Sequence, residues 1–127
     1  MRTVDLTSYQ WKNRLLLVFA LDRSDPQCQI QRSLLAREGP ELADGDLLVF
    51  WLYDRVSGQV GDRPIAPETT RRLREELGLP EGGFHVLLIG KDGGVKLRSE
   101  APIQPERFYK TIDAMPMRQA EMRRKGE

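Results

Sequence analysis

The stretch that most constrains this chain is Gly83-Phe84-His85-Val86-Leu87-Leu88-Ile89-Gly90-Lys91-Asp92-Gly93-Gly94-Val95-Lys96-Leu97-Arg98-Ser99. Val86 to Ile89 is an unbroken apolar run, the pattern of a strand covered on both faces. Asp92-Gly93 is a hairpin signal, because its turn needs positive φ, which Gly adopts freely and Asp tolerates. Beyond it the pattern alternates, with Val95 and Leu97 to one side and Lys96 and Arg98 to the other. Two antiparallel strands joined by a tight turn are therefore expected here.

The remaining elements follow from similar signals. Residues 1–13, with Leu6, Tyr9 and Trp11, read as an entry segment packed on the edge of the domain. Leu15 to Leu21 is a candidate central strand, followed by the polar loop Asp22-Arg23-Ser24-Asp25. Asp25-Pro26 suits the start of a helix, Asp as N-cap and Pro at the first position. Ile30, Leu34 and Leu35 are its expected apolar stripe, and Gly39-Pro40 its end. Leu47 to Tyr53 reads as a second, fully buried strand, with Phe50, Trp51 and Tyr53 in the core. Residues 54–64 read as a polar loop. Pro67 opens a second helix with Ile65, Thr69, Leu73 and Leu77 on one face. Arg71 with Glu75 and Arg72 with Glu76 are expected i,i+4 pairs, worth about 0.2–0.5 kcal/mol each. Pro105 begins a third helix with Phe108, Ile112 and Met115 inward. Pro116 breaks it, and residues 118–127 read as a charged last turn or frayed, solvated tail.

The order is strand, helix, strand, helix, strand, tight turn, strand, helix. A helical crossover makes the first two strands parallel, and the tight turn makes the last two antiparallel. This order, with Val86-Leu87-Leu88-Ile89-Gly90-Lys91-Asp92-Gly93, resembles the thioredoxin-fold core over about residues 14–115. The expected fold is α/β: a three-layer sandwich whose mixed four-stranded sheet, strand 3 antiparallel to the rest, lies between helices on both faces. A narrower resemblance rests on Trp11-Lys12-Asn13-Arg14-Leu15-Leu16-Leu17-Val18-Phe19-Ala20, on Phe84 through Ser99, and on Ile112-Asp113-Ala114-Met115-Pro116-Met117-Arg118. These stretches resemble the peroxiredoxin-like, thioredoxin-fold domain of unknown function found as small bacterial proteins and as a module in animal sushi-repeat and related extracellular-matrix proteins. The resemblance implies the fold and no settled reaction, and members of that family are often exported.

At 127 residues the expectation is a single domain, with a core over 14–115 and a charged C-terminal segment over 116–127. A charged fraction of 31% and a net charge of +1 favour neither a nucleic-acid nor a membrane partner. No apolar run approaches the ~20 residues of a spanning helix. The polar start, Met1 to Tyr9, lacks a signal-peptide pattern, so the chain as written is expected in the cytoplasm. The family resemblance leaves a periplasmic or secreted location open. One cysteine, Cys28, cannot form an internal disulfide or a CxxC pair, and one histidine cannot complete a Cys/His zinc site. No cofactor or metal is expected.

In the expected topology one rim collects Asp22 to Cys28 after strand 1, Asp54 to Arg63 after strand 2, and Gly83-Phe84-His85 at the start of strand 3. Open α/β sheets bind ligands outside the carboxyl ends of their parallel strands. Cys28 near the third position of a helix would have its thiolate stabilised by free N–H groups and the helix dipole, with Arg32 one turn on and His85 as a further partner. Against this stands Asp25, where peroxiredoxins place Thr or Ser, together with the absence of the thioredoxin cis-Pro before strand 3. The plainer reading makes Cys28 a small buried helix residue, His85 a polar cap on a core edge, and the acid–base neighbours exposed pairs. Two functions remain. One is a binding or scaffolding module that meets an unknown protein or small-molecule partner through the rim residues Asp22, Arg23, Ser24, Asp54, Arg55 and Phe84. The other is a one-cysteine peroxidase or glutathione-linked enzyme using Cys28, Arg32 and His85.

Overall fold

The apolar run after Arg14 forms β1 (Arg14–Ala20), and its place in the sheet explains why every residue of it is buried. In the computed structural model, which describes residues 6–126, β1 lies between β2 (Leu47–Tyr53) and β5 (His85–Ile89). It pairs parallel with β2 and antiparallel with β5. The hairpin partner β6 (Val95–Ser99) pairs antiparallel with β5. The four strands run β2-β1-β5-β6, with β5 opposed to the rest.

Strand parity then sorts the side chains into two cores. Leu16, Val18 and Ala20 pack with Cys28 and Leu35 of α1 (Pro26–Leu35) and with Phe108 and Ile112 of α4 (Pro105–Asp113). Leu15, Leu17 and Phe19 pack on the other side with Leu73 of α3 (Pro67–Leu77) and with Leu6 and Tyr9 of a 3-10 turn (Leu6–Tyr9). The Tyr9 ring meets Phe50 edge-on at 5.4 Å. Helices thus cover both faces, as the expected three-layer sandwich requires. The entry-segment expectation extends to residues 1–5, which lie outside the described residues, as does Glu127.

The sheet has six strands rather than four. The stretch expected as a polar loop holds β3 (Gly58–Val60) and β4 (Arg63–Ile65), a small hairpin beside β2. Three-residue strands are too short to show a period, yet Val60 and Ile65 are buried in the second core. Gly58 makes the pairing possible: a Cβ there would lie 1.8 Å from the Trp51 carbonyl oxygen. Gly61 supplies the left-handed turn at φ +55°.

Several helix details also differ from expectation. The buried stripe of α1 is Cys28, Gln31 and Leu35, whereas Ile30 points out with half its surface exposed. The phase is set by the Asp25 cap and by Cys28 facing β1. Gly39-Pro40 opens a further short helix, α2 (Gly39–Asp44), instead of ending the chain's helical stretch, because Pro fits the first turn. Ile65 belongs to β4, and the inward face of α3 is Thr69, Thr70, Leu73 and Arg74. Arg72 pairs with Glu76 at 2.7 Å as expected, but Arg71 turns back to Glu68. β2 is only partly buried: Leu48, Val49 and Trp51 keep some exposure, and β3 pairs with it only at Phe50 and Trp51. At the far hairpin, Gly93 takes φ +88° and Asp92 caps the turn by accepting from the Gly94 N–H at 2.9 Å. Finally, residues expected as a frayed tail form α5 (Pro116–Gly126), with Arg118 buried. Among the described residues no helix is long and apolar enough to cross a membrane.

Candidate functional site

The rim at the carboxyl ends of β1 and β2 gathers the expected residues, but it does not assemble them. Cys28 is the third residue of α1 and is fully buried. Its own N–H, and that of Gln27, donate to Asp25 Oδ1 at 3.3 and 2.8 Å. The helix donors that would stabilise a thiolate are therefore taken by a carboxylate, and Pro26 brings none. Cys28 Sγ lies 3.7 Å from the Tyr53 hydroxyl. That hydroxyl accepts from Arg32 Nη2 at 2.8 Å, and the Arg32 guanidinium stacks 4.3 Å over the Trp51 ring. Burial pushes the Tyr53 phenol up; Arg32 opposes that shift and Cys28 adds to it. The sulfur thus has a neutral phenol as its hydrogen-bonding neighbour, and the guanidinium binds the same hydroxyl.

His85 reaches the rim on the other face of the sheet. It pairs across the strands with Phe19, whose side chain belongs to the second core, whereas Cys28 and Phe84 belong to the first. Its Nε2 is 3.8 Å from Glu100, and its buried Nδ1 has no hydrogen-bond partner among the described residues. Cys28 and Arg32 are brought together through Tyr53; His85 is not part of that group.

The binding-rim residues divide likewise. Phe84 is a core residue. Asp54 accepts from Arg74 Nε at 2.9 Å and from the Gly82 N–H at 2.8 Å. Arg74, fully buried, also donates to Pro80 O and Gly83 O at 2.7 and 2.8 Å and lies 5.0 Å over Phe19. Together they clamp the turn before β5, a role that no local pattern announces. Asp22 accepts from Ser24 at 2.5 Å (Oγ) and 2.9 Å (N), which holds its carboxyl below the ordinary range. Arg23, Ser24 and Arg55 remain exposed. Arg55 borders a shallow cleft of about 250 Å³ with Leu21, Arg71 and Glu81.

A second polar assembly lies at the opposite end of the sheet, where α5 folds back. Glu121 accepts from Arg14 at 3.2 and 3.4 Å and from Lys91 at 2.6 Å. Lys91 also donates to Asp46 at 2.8 Å, and Arg118 pairs with Asp44 and Asp113. Burial would raise the Glu121 carboxyl, but the hydrogen bonds from Lys91 and Arg14 outweigh it and hold the group below its usual range. Its partners come from segments far apart in the chain, so no continuous sequence pattern announces it. Its one local signal is a cation at one end of each of two paired strands, Arg14 at the start of β1 and Lys91 just after β5. Among the described residues no group of acidic, Cys or His side chains could hold a metal ion.

Comparison with known proteins agrees with this fold. The zebrafish coiled-coil domain-containing protein 80 is 31% identical over 135 residues, covering 95% of this chain and 16% of that protein. The rat sushi repeat-containing protein SRPX2 is 26% identical over 125 residues, covering 96% of this chain and 27% of that one. The chain thus spans about a quarter or less of these relatives. Among solved structures, the reduced 2-Cys peroxiredoxin of Plasmodium vivax superposes with a TM-score of 0.67 at 14% identity, covering 92% of this chain and 85% of that one. The mitochondrial 2-Cys peroxiredoxin of Plasmodium falciparum gives 0.63 at 13%, covering 98% and 85%. At such identity the likeness concerns the fold, a peroxiredoxin-like variant of the thioredoxin fold. The sequence profile of the domain of unknown function DUF4174 matches residues 5–121, nearly the whole chain, and the protein belongs to that family.

Proposed function

We propose that this chain is a binding module on a peroxiredoxin-like scaffold and that it carries out no thiol turnover. The observation that supports it most is the sealing of Cys28: no exposed surface, its helix N–H held by Asp25, and a phenol as its nearest polar neighbour. A peroxide-reducing or glutathione-linked cysteine needs solvent access and an electropositive surrounding that favours the thiolate. Here Arg32 makes its contacts with the Tyr53 hydroxyl and the Trp51 ring, and His85 lies across the sheet. The matches to much longer relatives fit a module set among other segments. The partner, a protein or a small molecule, would meet exposed polar surface such as Arg23, Ser24 and Arg55 on the rim.

Thiol titration of the native chain tests this. Cys28 is expected to resist a thiol reagent until denaturant is added, and hydrogen peroxide consumption is expected to be the same for the wild type and Cys28→Ser. Thiol-dependent peroxide turnover that Cys28→Ser abolishes would overturn the proposal.

A further inference from the structure

A cleft of about 310 Å³ opens at the hairpin end of the molecule, away from the rim. Its lining includes the apolar side chains of Trp11, Met115, Pro116 and Met117 and the charged residues Arg14, Lys91, Asp92 and Lys96. This volume is at the lower end of the range for small-molecule sites and suits a ligand of one or two rings.

Three independent features point to an occupant. First, Trp11 is 61% exposed and is held at φ +70°, a backbone region that a bulky L residue rarely adopts. Its backbone N–H donates to the Lys91 carbonyl at 2.6 Å, which holds the main chain there, and the side chain lines the cleft and belongs to neither core. Second, the methionines of the lining offer polarisable sulfur to an aromatic ring edge. Third, the buried charge here is positive. Arg14, Lys91 and Arg118 have side chains no more than 9% exposed, and all three meet a single largely buried carboxylate, Glu121. The other acids nearby, Asp46, Asp44 and Asp113, are about half exposed, the first paired with Lys91 and the other two with Arg118. Arg14 Nε is buried and has no hydrogen-bond partner among the described residues. Lys96 holds only a surface pair with Asp92, which a ligand could replace at little cost.

We propose that this cleft binds a small aromatic carboxylate, its ring against Trp11 and the methionines and its anionic head toward Lys96, Arg14 and Lys91. Three of the four charged residues on the lining are cations, Arg14, Lys91 and Lys96 against Asp92, which disfavours a cationic ligand, and a wholly apolar one would make no use of Lys96. The proposal names a site for the binding-module function and in that sense rests on it. The two fail separately, because turnover through Cys28 would remove the module reading and leave cleft occupancy unchanged.

The test is a titration of the full chain with naphthoate, followed by NMR of the tryptophan indoles and methionine methyls. Saturable shifts are expected at Trp11, Met115 and Met117 with the Trp51 indole still, at sub-millimolar affinity. Trp11→Ala is expected to weaken binding roughly tenfold, and the uncharged naphthylmethanol to bind about tenfold more weakly than naphthoate. Both Trp11→Ala and Lys96→Gln alter side chains outside the core, so the fold is retained, and Lys96→Gln should reduce affinity and its salt dependence together. No saturable shift by about 10 mM, shifts that Trp11→Ala leaves intact, or equal affinity for naphthylmethanol would each overturn the proposal.

Discussion

Glu121→Gln removes one charge from the centre of the α5 attachment and changes almost no volume. In the native chain its carboxylate meets Arg14 at 3.2 Å and Lys91 at 2.6 Å, with side-chain exposures of 0%, 9% and 13% for Arg14, Lys91 and Glu121. Breaking a buried pair by removing one partner costs about 3–5 kcal/mol, because the other charge stays buried and uncompensated. Two contacts reduce that here: Lys91 keeps Asp46 at 2.8 Å, and Arg14 keeps the Gly45 carbonyl at 2.8 Å. The expected loss is about 2–3 kcal/mol, a large share of the roughly 5–15 kcal/mol a domain holds. Urea unfolding followed by tryptophan fluorescence should show the midpoint fall with m unchanged. Melting should fall by roughly 6–12 °C for a chain of this length. Hydrogen exchange should show α5 amides losing protection first, since α5 is held largely by these ions. In a Lys91→Met background the same change should cost at least about 1 kcal/mol less, the signature of direct coupling. A Glu121→Gln effect within about 0.5 kcal/mol of zero, with α5 protection intact, would refute the attachment.

Acid should act through the same carboxylate. Its folded pKa is depressed, so its contribution is complete above the unfolded value of about 4.3 and is lost as pH falls through the lower folded value; wild-type stability should drop over that window more steeply than that of Glu121→Gln. Gly58→Ala would set a methyl 1.8 Å from the Trp51 carbonyl oxygen, so β3 must separate from β2, at a cost of about 3 kcal/mol or more in urea unfolding. Arg74→Lys keeps the charge but cannot reach Asp54, Pro80 and Gly83 at once, and is expected to cost about 2–4 kcal/mol with faster exchange at Gly82.

The sequence made the sheet legible where the signal was continuous. The runs at Leu15 and Val86 declared central strands, and prolines 26, 67 and 105 marked helix starts through a purely local preference. The edge hairpin escaped because three-residue strands have no period, and what fixes them is the approach of Gly58 to another strand. The fold of α5 escaped for a related reason. Its apolar pattern is weak, and its partners Arg14, Asp44 and Lys91 come from distant segments, so its register is decided by tertiary pairing alone. At the rim, the topology placed Cys28 and His85 at one end of the sheet, but only the β1–β5 register shows that they face opposite cores.

The two ends of the sheet therefore differ in kind. At the carboxyl end, where an open α/β sheet ordinarily binds its ligand, polar groups satisfy one another: Asp25 with its helix, Asp22 with Ser24, Asp54 with Arg74, Arg32 with Tyr53. A ligand reaching those paired groups must break an existing bond for each one it makes, which leaves exposed Arg23 and Arg55 as the rim's open cations, and the sulfur beneath has no surface to offer. At the hairpin end, buried cations outnumber buried carboxylates, a guanidinium nitrogen lacks a partner among the described residues, and an exposed indole is held in a strained conformation. Binding there covers an indole that neither core takes in and competes only with the surface Lys96–Asp92 pair, so the free energy of a ligand contact is offset by a small internal loss. The scaffold keeps the peroxiredoxin-like arrangement of strands and helices, while the electrostatics that would draw an anion lie at the other end of the sheet from its cysteine.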